Sequence, residues 1–265
     1  MPDDNHIEFA PQLGRLGTIT LGEMESIKLM NRIDTKYLTD EETLVAVLDD
    51  AAEAGYMALE ADGSKISPYD SVYFDTEGLK MFSDHHNRRL TRQKVRTRSY
   101  VNSGLTFLEI KRKNNKGRTK KKRIEIPASE FNDFSCDESA CKYLAEHSAF
   151  TVEMLSPAIE TIFRRITLVN PAKTERLTID TCLSFKSFRS GLETSLMDAV
   201  IIELKQDGRA DSPMKRILLD HRVKPVRVSK YCIATTLTMP GIKSGRFKPK
   251  VRMIEKTIHK KITAQ

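Results

Sequence analysis

Residues 94–126 read KVRTRSYVNSGLTFLEIKRKNNKGRTKKKRIEI, and the alternation within this stretch decides the fold. Strand side chains point to opposite faces in turn, so residues of one parity share a face. In Lys94–Tyr100, Lys94, Arg96 and Arg98 fall together. In Phe107–Lys113, Glu109, Lys111 and Lys113 lie opposite Leu108 and Ile110. In Lys121–Ile126, Lys121, Arg123 and Glu125 lie opposite Ile124 and Ile126. Asn102-Ser103-Gly104 and Asn114-Asn115-Lys116-Gly117 separate these runs and suit hairpin loops.

Further strands follow the same rule. Arg176, Thr178 and Asp180 oppose Leu177 and Ile179, and Glu203 and Lys205 oppose Ile202 and Leu204. Other strands are expected at Arg32–Leu38, Ser71–Phe74, Thr161–Val169 and Pro225–Val228. A helix is expected to start at Thr39 or Asp40, with carboxylates in its first turn, and to end at Ala54-Gly55. The stretch Ala128–Ala149 suits short helices, and Asp211–His221 suits one more. Many antiparallel strands with few helices suggest an α+β fold: a closed or nearly closed antiparallel β-barrel with peripheral helices. Residues 1–30 read as an N-terminal extension with a short helix near Ile27, Leu29 and Met30. Residues 31–240 form the barrel domain, and 241–265 a basic, solvated tail.

Two packings satisfy the parity. The charged face meets water, or the sheet curls with its charges inside and its apolar faces under helices. Net charge bears on the choice. The chain carries +8, yet the segment 85–123 has fifteen Lys and Arg against the single acid Glu109. The tail has eight against Glu255. The rest is acidic, so the basic regions point to a polyanionic partner. Converging interior cations repel one another and lose solvation, so an anion has to compensate them. A phosphate chain would do so through forked hydrogen bonds from Arg.

Composition also excludes classes. No apolar run is long enough to span a membrane, and the acidic N-terminus has no signal-peptide character, so a cytoplasmic location is expected. Cys136, Cys141, Cys182 and Cys232 form no CxxC pair, which argues against zinc and disulfides. Tyr100 and Phe107 are the only aromatics between Arg88 and Arg123, and Trp is absent, which argues against nucleic acid. Carboxylates among the cations, Glu203 first, then Asp180, Asp34 and Glu109, are candidates to hold a hard divalent cation or to pair with neighbouring Lys and Arg.

From about Asn31 to Leu237 the chain resembles the VTC-type polyphosphate polymerase domain of the triphosphate tunnel (CYTH-like) superfamily. The likeness lies in Arg32-Ile33-Asp34-Thr35-Lys36, Val72-Tyr73-Phe74-Asp75, Arg96-Thr97-Arg98 and Glu109-Ile110-Lys111. It continues in Lys121-Lys122-Arg123, Phe163-Arg164-Arg165, Arg176–Asp180, Ile202-Glu203-Leu204-Lys205 and Ser229-Lys230. The resemblance implies transfer of the γ-phosphoryl group of ATP to a growing polyphosphate chain. It makes Arg96, Arg98, Lys111, Lys113, Lys121, Arg123, Arg165, Arg176 and Ser229 substrate-binding residues. Lys230, Lys36 and Arg98 become catalytic, and Glu203 and Asp180 ligands of Mn2+ or Mg2+. Arg32 replaces the first acid of the superfamily signature, which argues against the alternative of a triphosphate hydrolase. A non-catalytic polyphosphate-binding module is the other alternative. The phosphate-sensing helical domain and membrane helices of the fungal assemblies are absent from these residues, so export would need a separate membrane partner.

Overall fold

The computed structural model describes residues 9–27, 29, 32–208 and 211–264. The strands are β1 (Gly17–Ile19), β2 (Ile33–Asp40), β3 (Met57–Leu59), β4 (Ser67–Asp75), β5 (Arg92–Tyr100) and β6 (Leu105–Lys113). They continue with β7 (Thr119–Ile126), β8 (Ser156–Val169), β9 (Glu175–Ser187), β10 (Glu193–Leu196) and β11 (Ala199–Gln206). The helices are α1 (Ala10–Arg15), α2 (Leu21–Ser26), α3 (Glu41–Glu53), α4 (Lys80–His86) and α5 (Glu138–His147). After them come α6 (Pro213–Asp220), α7 (Lys230–Thr238) and α8 (Lys248–Thr257).

Local chemistry sets the boundaries. Asp40 caps α3 by accepting the Thr43 N–H at 2.7 Å, and Gly55 ends it at φ +76°. The β5–β6 hairpin turns on Gly104, at φ +68°, whose N–H bonds Tyr100 O at 2.9 Å. The N-terminal helices end before Leu29, and Met30 lies outside the described residues. The Pro225–Val228 strand reduces to a single bridge, Tyr37 to Pro225.

The sheet runs β2-β11-β9-β8-β4-β5-β6-β7, and its main path is antiparallel. Two apolar layers cover its outer face. Leu177, Ile179, Ile202 and Leu204 pack with α3 residues Leu44, Val47 and Leu48 and with Met214 and Leu218 of α6. Val72, Val95, Leu108 and Ile110 pack with Phe134, Ala140 and Leu144 around α5. The charged parity of β5, β6 and β11 therefore faces inward, as the second packing requires.

The inner face is not charged throughout. Leu38, Tyr73, Ile159, Phe163, Phe185 and Ile201 share it, and they seat α7, whose Tyr231, Cys232, Ile233 and Ala234 are all buried. Helix α7 thus fills one end of the concave side. The tail is no solvated terminus: Phe247 and Ile254 of the α8 region join the same cluster, at 3% and 1% exposure.

The expected closed or nearly closed antiparallel barrel holds in part: the antiparallel sheet of an α+β fold forms, but it does not close. Among the described residues, β2 and β7 are not paired, and the sheet stays open between them. The free edge of β2 is taken by the chain leading into α7, where the Val226 N–H bonds Lys36 O at 2.7 Å beside the Tyr37–Pro225 bridge. Pro225 has no N–H to offer a further strand. The other edge, β7, is almost wholly exposed and carries Lys120, Lys121, Lys122 and Arg123, a charge pattern that discourages edge pairing.

Candidate active site

The concave face is built in rows. On β5, Arg96 and Arg98 stand opposite Tyr73 and Ser71 of β4, and both arginines are 6% exposed. Arg96 gives a forked pair of hydrogen bonds to one Glu109 oxygen, at 2.8 and 2.5 Å, and a third to Tyr73 Oη at 2.9 Å. Lys121 reaches the other Glu109 oxygen at 2.8 Å. Burial alone would raise the Glu109 carboxyl, but Arg96, Arg98 and Lys121 outweigh it and hold it far below the carboxylate range.

A second carboxylate organises the opposite wall. Arg165 of β8 binds both oxygens of Asp180 of β9, at 2.6 and 2.8 Å, and Lys230 at the start of α7 binds the second oxygen as well. Asp180 reaches this face because β9 carries an extra residue against β8, with Cys182 at φ +50°. The bulge switches parity, so Leu183 and Phe185 point inward on one side of it and Asp180 and Thr178 on the other. Both Asp180 oxygens are engaged by cations in the ligand-free protein.

Glu203 of β11 forms the third centre. Lys36 of β2 and Lys205 each meet one of its oxygens at 2.8 Å. Burial opposes ionisation, and the two lysines overcome it, keeping the carboxyl well below its usual range. Asp34 turns instead to Arg32, at 2.6 and 3.0 Å, in an exposed pair.

Arg98 and Lys111 differ from their neighbours. Among the described residues the Arg98 guanidinium makes one hydrogen bond, to Ser71 Oγ at 3.0 Å, and it rests against Tyr69 and Phe163 at 5.2 and 5.6 Å. It makes no ion pair among them, and Glu109 acts on it only at longer range. Burial first, then Arg96 and Arg165, push its pKa down to about 10. Lys111 has no ion pair or hydrogen bond among the described residues. Arg96 first, and burial next, lower its pKa well below that of a free lysine.

Aromatic rings form the floor beneath these cations. Tyr69 and Phe163 stack at 5.4 Å, and Arg165 lies over Tyr69 at 4.9 Å. The Lys230 ammonium sits 3.8 Å above Phe163. Ser229 caps α7 by accepting the Cys232 N–H at 3.3 Å, and it also accepts from Lys94 at 2.7 Å.

Lys36, Arg96, Arg98, Lys111, Arg165, Asp180, Glu203, Ser229 and Lys230 are thus gathered on one concave surface. Lys121 is part of it through Glu109. Arg123 lies on the exposed β7 edge over Phe107 at 4.4 Å, and Lys113 and the half-buried Arg176 lie at strand ends. Sequence reading left Lys94, Lys205, Tyr69, Tyr73 and Phe163 off the site. Parity with Arg96, Glu203 and Ser71 would have placed Lys94, Lys205, Tyr69 and Tyr73 there.

Lys230 supplies a pH-dependent prediction. Burial first, with Arg165 and Lys36 adding and Asp180 opposing, brings its pKa from 10.5 down to about 7. The unfolded chain therefore binds the extra proton between those values, so the ligand-free fold gains stability as pH rises from about 7 toward about 10. An anion on the concave face restores the proton. Tripolyphosphate binding at pH 8 is expected to take up protons, and affinity to fall as pH rises above 7. Calorimetry in buffers of different ionisation heat measures the uptake, and Lys230→Met is expected to remove it.

The chain matches the family model described as VTC domain over residues 31–239. No curated protein matches it in sequence. Solved structures that resemble it include an adenylate cyclase candidate from Bacillus halodurans, at 13% identity and TM-score 0.49, covering 83% of this chain and 100% of that one. Another is an adenylyl cyclase candidate from Hippeastrum described as having a dominant triphosphatase activity, at 12% identity and TM-score 0.47, covering 80% and 99%. At that overlap neither likeness carries weight in the assignment. With a family model spanning most of its length, the chain belongs to the VTC domain family.

Proposed function

We propose that the chain is a polyphosphate polymerase, transferring the γ-phosphoryl group of ATP to the end of a polyphosphate chain. The observation that carries this reading is the pair of cations Arg98 and Lys111 on the concave face of a VTC domain, which among the described residues make no ion pair and whose pKa values neighbouring cations and burial lower more than Glu109 and Glu203 raise them. Neither burial nor packing needs a lone charge there, and a phosphate chain supplies the missing anions.

In this reading Arg96, Arg98, Lys111, Lys121 and Arg165 hold successive phosphates, and Arg123, Arg176 and Lys113 receive the chain at the rims. Lys230 and Lys36 orient the terminal phosphoryl group and offset the charge that develops as it moves. Asp180 fixes the Lys230 ammonium, and Ser229 caps the helix that Lys230 begins. Phosphoryl transfer needs positioning and charge neutralisation above all, and no covalent nucleophile.

Among the described residues no three His, Cys, Asp or Glu side chains converge. The donors still fit a cation such as Mn2+ or Mg2+ that keeps few protein ligands and arrives with phosphates. Glu203 is the residue to hold it, because its two partners are flexible lysines that can turn to phosphate oxygens, whereas an Arg fork clamps Asp180. Such a cation supplies charge neutralisation across phosphate oxygens when bound.

Products separate this reading from its relatives. Incubated with ATP and Mn2+ or Mg2+, the protein is expected to give a ladder on a gel stained for polyphosphate. Glu203→Gln is expected to lose the metal-dependent ladder, by at least about a hundredfold in rate, while still binding tripolyphosphate. Orthophosphate without a ladder would make the protein a triphosphatase. Binding without turnover would make it a polyphosphate-binding module.

A further inference from the structure

Val72-Tyr73-Phe74-Asp75 closes β4 on a carboxylate that the site above does not use. Asp75 is fully buried, and among the described residues it makes no ion pair. Four hydrogen bonds hold it instead. One oxygen accepts the Thr76 N–H at 2.8 Å and the Met81 N–H at 2.9 Å. The other accepts the Phe82 N–H at 2.9 Å and the Tyr231 hydroxyl at 2.5 Å. Met81 and Phe82 lie in the first turn of α4, which has no capping side chain at Leu79, so Asp75 serves that helix end from outside it.

The fourth donor belongs to α7. Tyr231 follows Lys230 in the first turn and is 1% exposed. Burial first, and the Asp75 charge next, raise its phenol well above the usual range, so it stays a donor. Its ring stacks on Tyr73 at 5.1 Å, and the Tyr73 hydroxyl accepts from Arg96 at 2.9 Å. Successive residues of a helix point about 100° apart. Lys230 therefore meets Asp180 of β9 and the Phe163 ring of β8, while Tyr231 meets Asp75 and Tyr73 of β4. A single anchor would leave the first turn free to rotate about the helix axis, and two anchors in different directions do not.

We infer that Asp75 and Tyr231 are positioning residues for phosphoryl transfer: their hydrogen bond sets the rotation of α7 and so aims the Lys230 ammonium at the terminal phosphoryl group. The inference rests on the reading of the concave face as a polymerase site, and it names what holds one of that site's cations in place. Both residues act through Lys230 rather than on substrate. A displacement of about 1 Å at a reacting centre costs about a hundredfold in rate, so a hydrogen bond behind the cation is enough to control turnover.

The test uses Tyr231→Phe in the full chain. The substitution keeps the ring on Tyr73 and leaves Asp75 three N–H donors, so the fold is expected to survive; Asp75→Asn would also disturb the α4 end, which makes the phenol the cleaner target. For polyphosphate synthesis from ATP, kcat is expected to fall about tenfold while KM for ATP stays within about twofold. On the residual rate of Lys230→Met, the added Tyr231→Phe is expected to cost nothing further. Ile254→Ala on α8 loosens the same apolar cluster away from this hydrogen bond, and it is expected to lower the unfolding midpoint and leave kcat unchanged. A native kcat in Tyr231→Phe, a raised KM without loss of kcat, a further loss on top of Lys230→Met, or an equal loss in Ile254→Ala would overturn the positioning role and leave the polymerase reading standing. A native protein that makes no polymer would overturn the reading beneath it as well.

Discussion

Arg98→Met is expected to make the ligand-free protein more stable and to abolish its binding of tripolyphosphate. The guanidinium is 6% exposed and makes no ion pair among the described residues, and burial pushes its pKa down to about 10. At neutral pH that shift corresponds to about 3 kcal/mol of unfavourable charge burial. Methionine keeps much of the volume against Tyr69 and Phe163 and removes the charge. Part of the gain is lost with the Ser71 hydrogen bond and the contacts to the two rings, so a net stabilisation of about 1–2 kcal/mol is expected in urea unfolding. Binding should fall by at least about a hundredfold, the value of two charge-assisted hydrogen bonds to phosphate. An unfolding midpoint that drops, with binding intact, would mean that Arg98 serves the fold alone.

Asp180→Asn is expected to act in the opposite sense. This carboxylate compensates both Arg165 and Lys230, and it is 3% exposed. Removing the charge leaves Arg165 buried without its partner carboxylate and drives Lys230 further toward its neutral form, a loss of about 3–5 kcal/mol. Tripolyphosphate should restore much of that stability, because its oxygens replace the lost carboxylate. The midpoint of the variant should therefore rise more on adding ligand than that of the native protein. An Asn variant as stable as the native chain would contradict the charge accounting of the site.

Together these two variants separate paired from unpaired cations, and that distinction was only half legible in the sequence. Parity in Lys94–Tyr100, Phe107–Lys113 and Ile202–Lys205 placed Arg96, Arg98, Glu109, Lys111, Glu203 and Lys205 on one face, because short antiparallel strands hold their period. It left open whether that face met water, and the covering of Leu108, Ile110, Ile202 and Leu204 by helices answers the question. The bulge at Cys182 was not legible: nothing in a run of β-forming residues marks where one of them takes a left-handed backbone. Nor was the plug. Helix α7 is buried on nearly all sides, so it has no strong apolar stripe by which to recognise it.

The opening of the barrel depended on long-range placement. Pro225 and Val226 lie nearly two hundred residues from the strand whose edge they occupy, and no local pattern in either segment announces the contact. The basic tail misled for a related reason. Most of its charges are exposed, while Phe247 and Ile254, with Ile242, Val251, Ile258 and Ile262 packed beside them, fix it to the core, and apolar residues scattered among many lysines leave a weak signal.

The central claim is that a phosphate chain supplies the counter-charge missing from the concave face. Calorimetric titration of tripolyphosphate into the native protein and into Arg98→Met tests it most directly. The account predicts one binding event in the native protein, steeply weakened by salt, and none in the variant. Equal binding by the two proteins, or no binding by the native protein at low salt, would contradict it.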